Sequence, residues 1–218
     1  MNNGIKNKPF EDRVSDFLRD LERGEGFVTV HREPGHLVKD LKVGVGKHAG
    51  LVYKKGAPSH VQMANQYYDR LMAHYRERGY EPYSYELVKP NFVATGERLG
   101  IVQDYYEEPS LAELRGYLLM GKEIKKGERK LQRELNDEEK ETFRGRYVKD
   151  EDSGLRCEQF LKEPHNKDIT LEQIMEVGRE FYLDLDYLAL PRKSDNVIVL
   201  GQGRGRNLER TGLAIIDY

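Results

Sequence analysis

Residues 194–218 read SDNVIVLGQGRGRNLERTGLAIIDY. Two aliphatic runs, Val197 to Leu200 and Leu213 to Ile216, flank a turn rich in glycine and arginine. Runs of this kind on either side of such a turn predict a β-hairpin. An amide, Asn196, stands just before the first run, and a carboxylate, Asp217, just after the second. A hairpin brings the residues at its two ends close together. An amide oxygen and a carboxylate are the hard oxygen ligands that Mg2+ prefers.

Working back from the hairpin, ITLEQIMEVGREFYLDLDYLAL predicts an apolar helix with Thr170 as its cap and Gln173 completing a capping box. Before it, residues 122–152 form a dense charge run with few apolar positions, which predicts solvated helical structure. SLAELRGYLLMG opens this helical region with a serine cap. Further back, FVTVHREPGHLVKDLKVGVGKHAGLVYKKG predicts three antiparallel strands, at 27–32, 37–43 and 50–55. A helix at 59–78 follows, capped by Ser59 and stopped by Gly79, with Val61, Ala64, Tyr68, Leu71 and Tyr75 as its apolar stripe. YSYELVKP and LGIVQDYY predict two more strands within 83–106, joined by a turn around Gly96. At the front, Pro9 starts a helix over 9–23 that places Phe10, Val14, Phe17 and Leu21 on one face. The chain therefore divides into an N-terminal helix at 1–24, a sheet domain at 25–106 and a helical part with the hairpin at 107–218.

Composition narrows the function classes. Charged residues make up 34% of the chain and the mean hydropathy is -0.79, but fourteen Tyr and seven Phe are too many aromatics for a disordered chain. A net charge of -2 provides no whole-chain field for nucleic acid or an acidic membrane. One cysteine excludes an internal disulfide and a cysteine metal cluster. No run approaches the roughly 20 apolar residues of a membrane span, and MNNGIKNKPFEDRV lacks the apolar core of a secretory signal. The expected setting is a reducing cytoplasm.

Three strands, a helix, two strands, a helical region and a hairpin bracketed by Asn and Asp form an order that resembles the protein kinase-like fold, over most of the chain from about Phe27. The resemblance implies an α+β protein: a five-stranded antiparallel N-lobe sheet with the 59–78 helix packed on one face, then a reduced helical C-lobe with a terminal β-hairpin. It implies ATP and Mg2+ as cofactors, with Asn196 and Asp217 as metal ligands. LVYK resembles the strand that carries the phosphate-holding lysine, here Lys54. On the following helix, Asp69 is the only acid of the stripe Gln62, Gln66, Asp69 and Ala73, which makes it the candidate partner of that lysine. IVQDYYEEPSLAEL resembles the hinge that meets adenine, with Gln103 and Tyr105 at the site. Lys193 falls where the family often has a lysine on the transferred phosphate.

Two features depart from the family. The turn between the first two strands, HREPGH, has one glycine, Gly35, in place of a glycine-rich loop. The position five before Asn196, where the family has its catalytic Asp, is Pro191, so either Asp186 serves as the base in a longer loop or the transfer base is absent. GVGKHAG, between the second and third strands, looks like a phosphate loop but lacks its strand-to-helix context, and reads as a hairpin turn.

Two functions follow from the resemblance. One is an atypical ATP- and Mg2+-dependent phosphotransferase acting on a protein. The other is a catalytically inactive kinase-like scaffold that binds a partner protein. Both suit a cytoplasmic protein or an effector delivered into a host cell. A third, nucleic-acid binding through Arg204, Arg206 and Arg210, rests on one local basic patch.

Overall fold

The computed structural model describes residues 9–31, 40–55, 58–77, 85–87, 91–95, 98–188, 197–202 and 211–215. The chain forms two compact units. One comprises Met1–Asp69, Val88–Tyr106 and Tyr218, the other Arg70–Leu87 and Glu107–Asp217. The N-terminal helix is grouped with the sheet, residues 70–87 are grouped with the helical part, and the division after Tyr106 coincides with the one expected there.

In the first unit, α1 (Phe10–Arg23) follows Pro9 and ends where Gly24 takes the left-handed conformation, its amide bonded back to Asp20 and Leu21. Strands β1 (Phe27–His31), β2 (Asp40–Gly44), β3 (Leu51–Lys55), β5 (Asn91–Thr95) and β6 (Arg98–Asp104) form an antiparallel sheet in the order β1-β2-β3-β6-β5. Four of the five expected strands lie in it. The segment expected as the fourth, 83–90, does not. Its place is taken by β5, in a hairpin that pairs Thr95 with Arg98. The predicted turn residue Gly96 lies outside the described residues, as do Gly35 and Gly79.

Strand alternation sorts the sheet into two faces. Val43 pairs with Val52 and Val52 with Gln103, while Leu41 pairs with Lys54 and Lys54 with Ile101. Leu51, Tyr53 and Val102 therefore occupy the opposite face. There they form a core with Val14 and Phe17 of α1, joined by Leu18, Leu21 and Phe27. The amphipathic spacing of α1 finds its purpose in this core. The helix expected to pack on the sheet was the one at 59–78; the core that the described residues show is built with α1.

That other helix, α2 (Pro58–Glu77), begins one residue before the expected serine cap, with proline at a first helical position whose missing N–H is not needed. Its Leu71 and His74 are buried.

In the second unit, α3 (Leu111–Leu131), α4 (Asp137–Tyr147), α5 (Glu151–Lys162) and α6 (Leu171–Tyr187) cover the region read as helical. The expected caps are present. Ser110 and Glu113 exchange bonds at the start of α3, and Thr170 and Gln173 at the start of α6. Asn136 with Glu139 and Asp150 with Ser153 cap α4 and α5 in the same way, which divides the charge run into short helices. The capping Glu113 also accepts from Arg156 of α5 at 2.6 Å, tying α5 to the start of α3.

The terminal hairpin is present as β7 (Val197–Gln202) and β8 (Thr211–Ile215). It is not isolated. β4 (Tyr85–Leu87), the described part of the segment missing from the large sheet, pairs parallel with β8, so a three-stranded sheet runs β4-β8-β7. On its other side, the Val199 amide donates to the Pro109 carbonyl just before α3. Among the described residues no helix is long and apolar enough to cross a membrane.

Candidate functional site

The sheet face opposite α1 gathers residues of one chemical pattern. Val28 and Val30 of β1 pair with Val43 and Leu41 of β2, which continue to Val52 and Lys54 of β3 and then to Gln103 and Ile101 of β6. The face is thus a run of aliphatic side chains with one cation and one amide set into it. Lys54 is 5% and Gln103 2% exposed, whereas Val28 and Val30 at the sheet edge are 49% and 42% exposed. Lysine is rarely buried this far without a partner, because an ammonium taken out of water requires an acceptor. The neighbouring Lys55 points the other way and is exposed, as the alternation requires.

Asp69, the expected partner of Lys54, is exposed on α2, and among the described residues no ion pair joins the two. The whole stripe that carries it, Gln62, Gln66, Asp69 and Ala73, is exposed. This row of α2 therefore lies on its solvent side.

At the end of β6, Tyr105 is 37% exposed, but its amide donates to the Gly50 carbonyl at 2.9 Å. That N–H is committed to the sheet and is not available to a ligand. Burial raises the Asp104 carboxyl above its ordinary range, with Arg13 of α1, 3.7 Å away, opposing the shift.

GVGKHAG forms a hairpin turn, with a short 3-10 segment over Gly46–His48 between β2 and β3. Its lysine is engaged: Lys47 Nζ and His48 Nε2 both lie 2.8 Å from Asp20 Oδ2 on α1. The hydrogen bonds from His48 and then Lys47 hold the Asp20 carboxyl down to about 2. The ionised carboxylate is favoured in the folded state, so its contribution to stability is complete above the ordinary value of 3.8 and lost as pH falls through about 2. Asp20→Asn removes this component. The variant's urea midpoint is expected to fall less steeply than the parent's between pH 4 and pH 2, and parallel curves would show that the contact contributes nothing.

In the second unit, Asp186 lies in the last turn of α6 and is exposed, on a helix rather than in the expected longer loop. The end of this helix is held by α2, where the Arg70 guanidinium donates to the Leu188 carbonyl and the His74 ring lies 5.0 Å from that of Tyr187. This anchor was not legible in sequence, because it joins residues more than a hundred positions apart. Lys193, Asn196 and Asp217 lie outside the described residues, as do Pro191, Arg204, Arg206 and Arg210. Val197 pairs with Ile215, so the chain enters β7 and leaves β8 at the same end of the hairpin. Among the described residues no group of three or more His, Cys, Asp or Glu gathers to hold a metal. Cys157 is buried, which pushes its thiol up to about 12 and removes it from nucleophilic chemistry.

Compared with known protein families, curated proteins and solved structures, the chain finds no match.

Proposed function

We propose that the chain is a kinase-like nucleotide-binding protein that uses ATP and Mg2+ to phosphorylate a protein. The observation that carries this reading is the sheet face that sets Lys54 and Gln103 among Val28, Val30, Leu41, Val43 and Val52. Aliphatic side chains on a flat sheet suit the faces of a purine ring, and a lysine in their midst suits phosphate oxygens. The large sheet takes three strands before α2 and two after it, β5 and β6, an order that supports the same reading, although β4 stands between α2 and β5 in the chain and joins the other sheet. The metal is assigned to Asn196 and Asp217, one amide and one carboxylate, which leaves the remaining positions of an octahedral Mg2+ to water and phosphate. Mg2+ would neutralise charge on the phosphates, and Asp186 would accept the proton of the substrate hydroxyl.

Catalytically inactive scaffolding is the second reading. It is favoured by Pro191 at the position of the family's catalytic Asp and by the single glycine of HREPGH. The phosphotransfer reading requires the nucleotide face, whereas the scaffold reading requires it only if the scaffold has kept nucleotide binding.

Thermal denaturation with ATP and Mg2+ tests the proposal. Ligand at 100 times Kd adds about 2.7 kcal/mol to the folded state, which for a chain of this size raises Tm by roughly 5–10 °C. Lys54→Met keeps the aliphatic stem and is expected to abolish the shift. Asp217→Ala is expected to remove only the part that depends on Mg2+, and Asn196→Ala to act in the same direction more weakly. No shift with the parent protein overturns the nucleotide reading. A shift in the parent without phosphoryl transfer to any protein substrate selects the scaffold.

A further inference from the structure

Helix α6 is apolar on two sides. Its inner face, Leu171, Ile174, Val177, Phe181 and Leu185, is buried and accounts for the packing of the helix in its own unit. Its outer side carries a second row at four-residue spacing, Met175, Arg179, Leu183 and Tyr187, whose three large apolar members are 56%, 62% and 69% exposed. Single exposed leucines, such as Leu131 on α3 and Leu155 on α5, are ordinary on a protein surface. Three on one ridge of one helix form a continuous patch, which needs an explanation. Arg179 does not break it, because the long aliphatic stem of arginine lies well along apolar surface.

The adjacent row is acidic. Glu172 and Glu176 are exposed beside the ridge, and positions 180 and 184 of the same helix continue the four-residue spacing with two more acids. Asp186 flanks the ridge on its other side. Within the chain this acidic row already receives a lysine: Lys122 Nζ of α3 lies 3.1 Å from Glu172 Oε1.

We propose that the outer ridge of α6 is a docking surface for an amphipathic helix of a partner protein, one that carries lysine or arginine beside its apolar residues. The charge of the flank selects a basic occupant. The four-residue ridge selects a helix, because such ridges interlock with the grooves of a second helix. From Met175 to Tyr187 the ridge spans about 18 Å, at 1.5 Å per residue, which is about three turns of the occupant. A second copy of this chain is the competing occupant, although part of its basic helix α3 is already engaged, Lys122 with Glu172 and Lys126 with Glu123. This docking surface is independent of the nucleotide face on β3 and β6.

The probe is a labelled synthetic helical peptide with leucines along one ridge and lysines on both flanks, titrated with the full chain by fluorescence anisotropy. Saturable binding is expected. Leu183→Asp, at an exposed position, should weaken it at least tenfold while leaving the circular dichroism spectrum unchanged, and the same peptide with glutamate for every lysine should not bind. Equal binding of the two peptides, equal binding by Leu183→Asp, or no saturable binding overturns the proposal. Self-association of the chain that Leu183→Asp abolishes also overturns it, and assigns the ridge to a second copy.

Discussion

Phe17→Ala is expected to destabilise the protein by about 3–5 kcal/mol, the range for removing a fully buried phenylalanine ring. The side chain is 0% exposed, sits among Val14, Leu51, Tyr53 and Val102, and lies 5.1 Å from the His48 ring. The loss has two parts: the apolar area of the ring returns to water, and a cavity remains between a helix and a sheet that cannot close on each other without breaking the register. Because natural domains retain only about 5–15 kcal/mol in total, this one ring decides whether the sheet unit stays folded at 37 °C. Urea denaturation measures the total. Amide exchange locates it: β3 and β6 amides should lose protection while those of α3 and α5 keep theirs. A cost below about 1 kcal/mol would mean that α1 is an appendage rather than half of the core, because deletion of a fully buried ring is never that cheap in a packed site.

Gly201→Ala is the second large effect. Gly201 stands at a register shift in β7, with φ +91°, a conformation that costs an L-residue roughly 1–2 kcal/mol. An added Cβ would also lie 2.2 Å from Asn166 Oδ1. Asn166 cannot move aside. It is fully buried between α5 and α6, and its amide donates to the Phe160 carbonyl at 3.1 Å and to Glu163 Oε2 at 3.2 Å. Overpacking of this kind adds roughly 1–3 kcal/mol. The two penalties separate in a double-mutant cycle. Asn166→Ala alone loses the buried hydrogen bonds, but Gly201→Ala placed on that background should cost only the backbone part. Strict additivity of the two substitutions would place the whole cost in the φ angle.

What could be read in the sequence was local. The start of α3 is written in a capping serine, that of α6 in a capping pair three residues apart, and the face of α1 in apolar residues spaced four, three and four apart. The inward direction of Lys54 was legible because a strand presents alternate residues to alternate faces, so one lysine in an apolar run fixes its own direction. Distant partners were not legible. Nothing in YSYELVKP says that its strand pairs with Leu213 rather than with Leu99, since its alternating pattern fits either sheet, and the less regular NFVAT was read as a turn although it forms the strand. The exposure of Asp69 was not legible for a related reason. A row beside an apolar stripe has a buried side and a wet side, and helical spacing alone does not distinguish them. The engagement of Lys47 likewise depends on Asp20, 28 positions away.

The parallel pairing of β4 with β8 also bears on how the protein is made. Tyr85 faces Leu213, 128 positions later (213 − 85), and β8 is the middle strand of its sheet. The sheet in the second unit cannot close until nearly all the intervening chain has been synthesised, whereas the hairpins of the first unit need only short loops. Closing so long a loop costs entropy before any contact repays it, which slows folding. A ribosome-bound intermediate should therefore hold the first unit largely formed, with the 85–87 strand waiting for its partner. Until β8 is made, that strand keeps an unpaired edge.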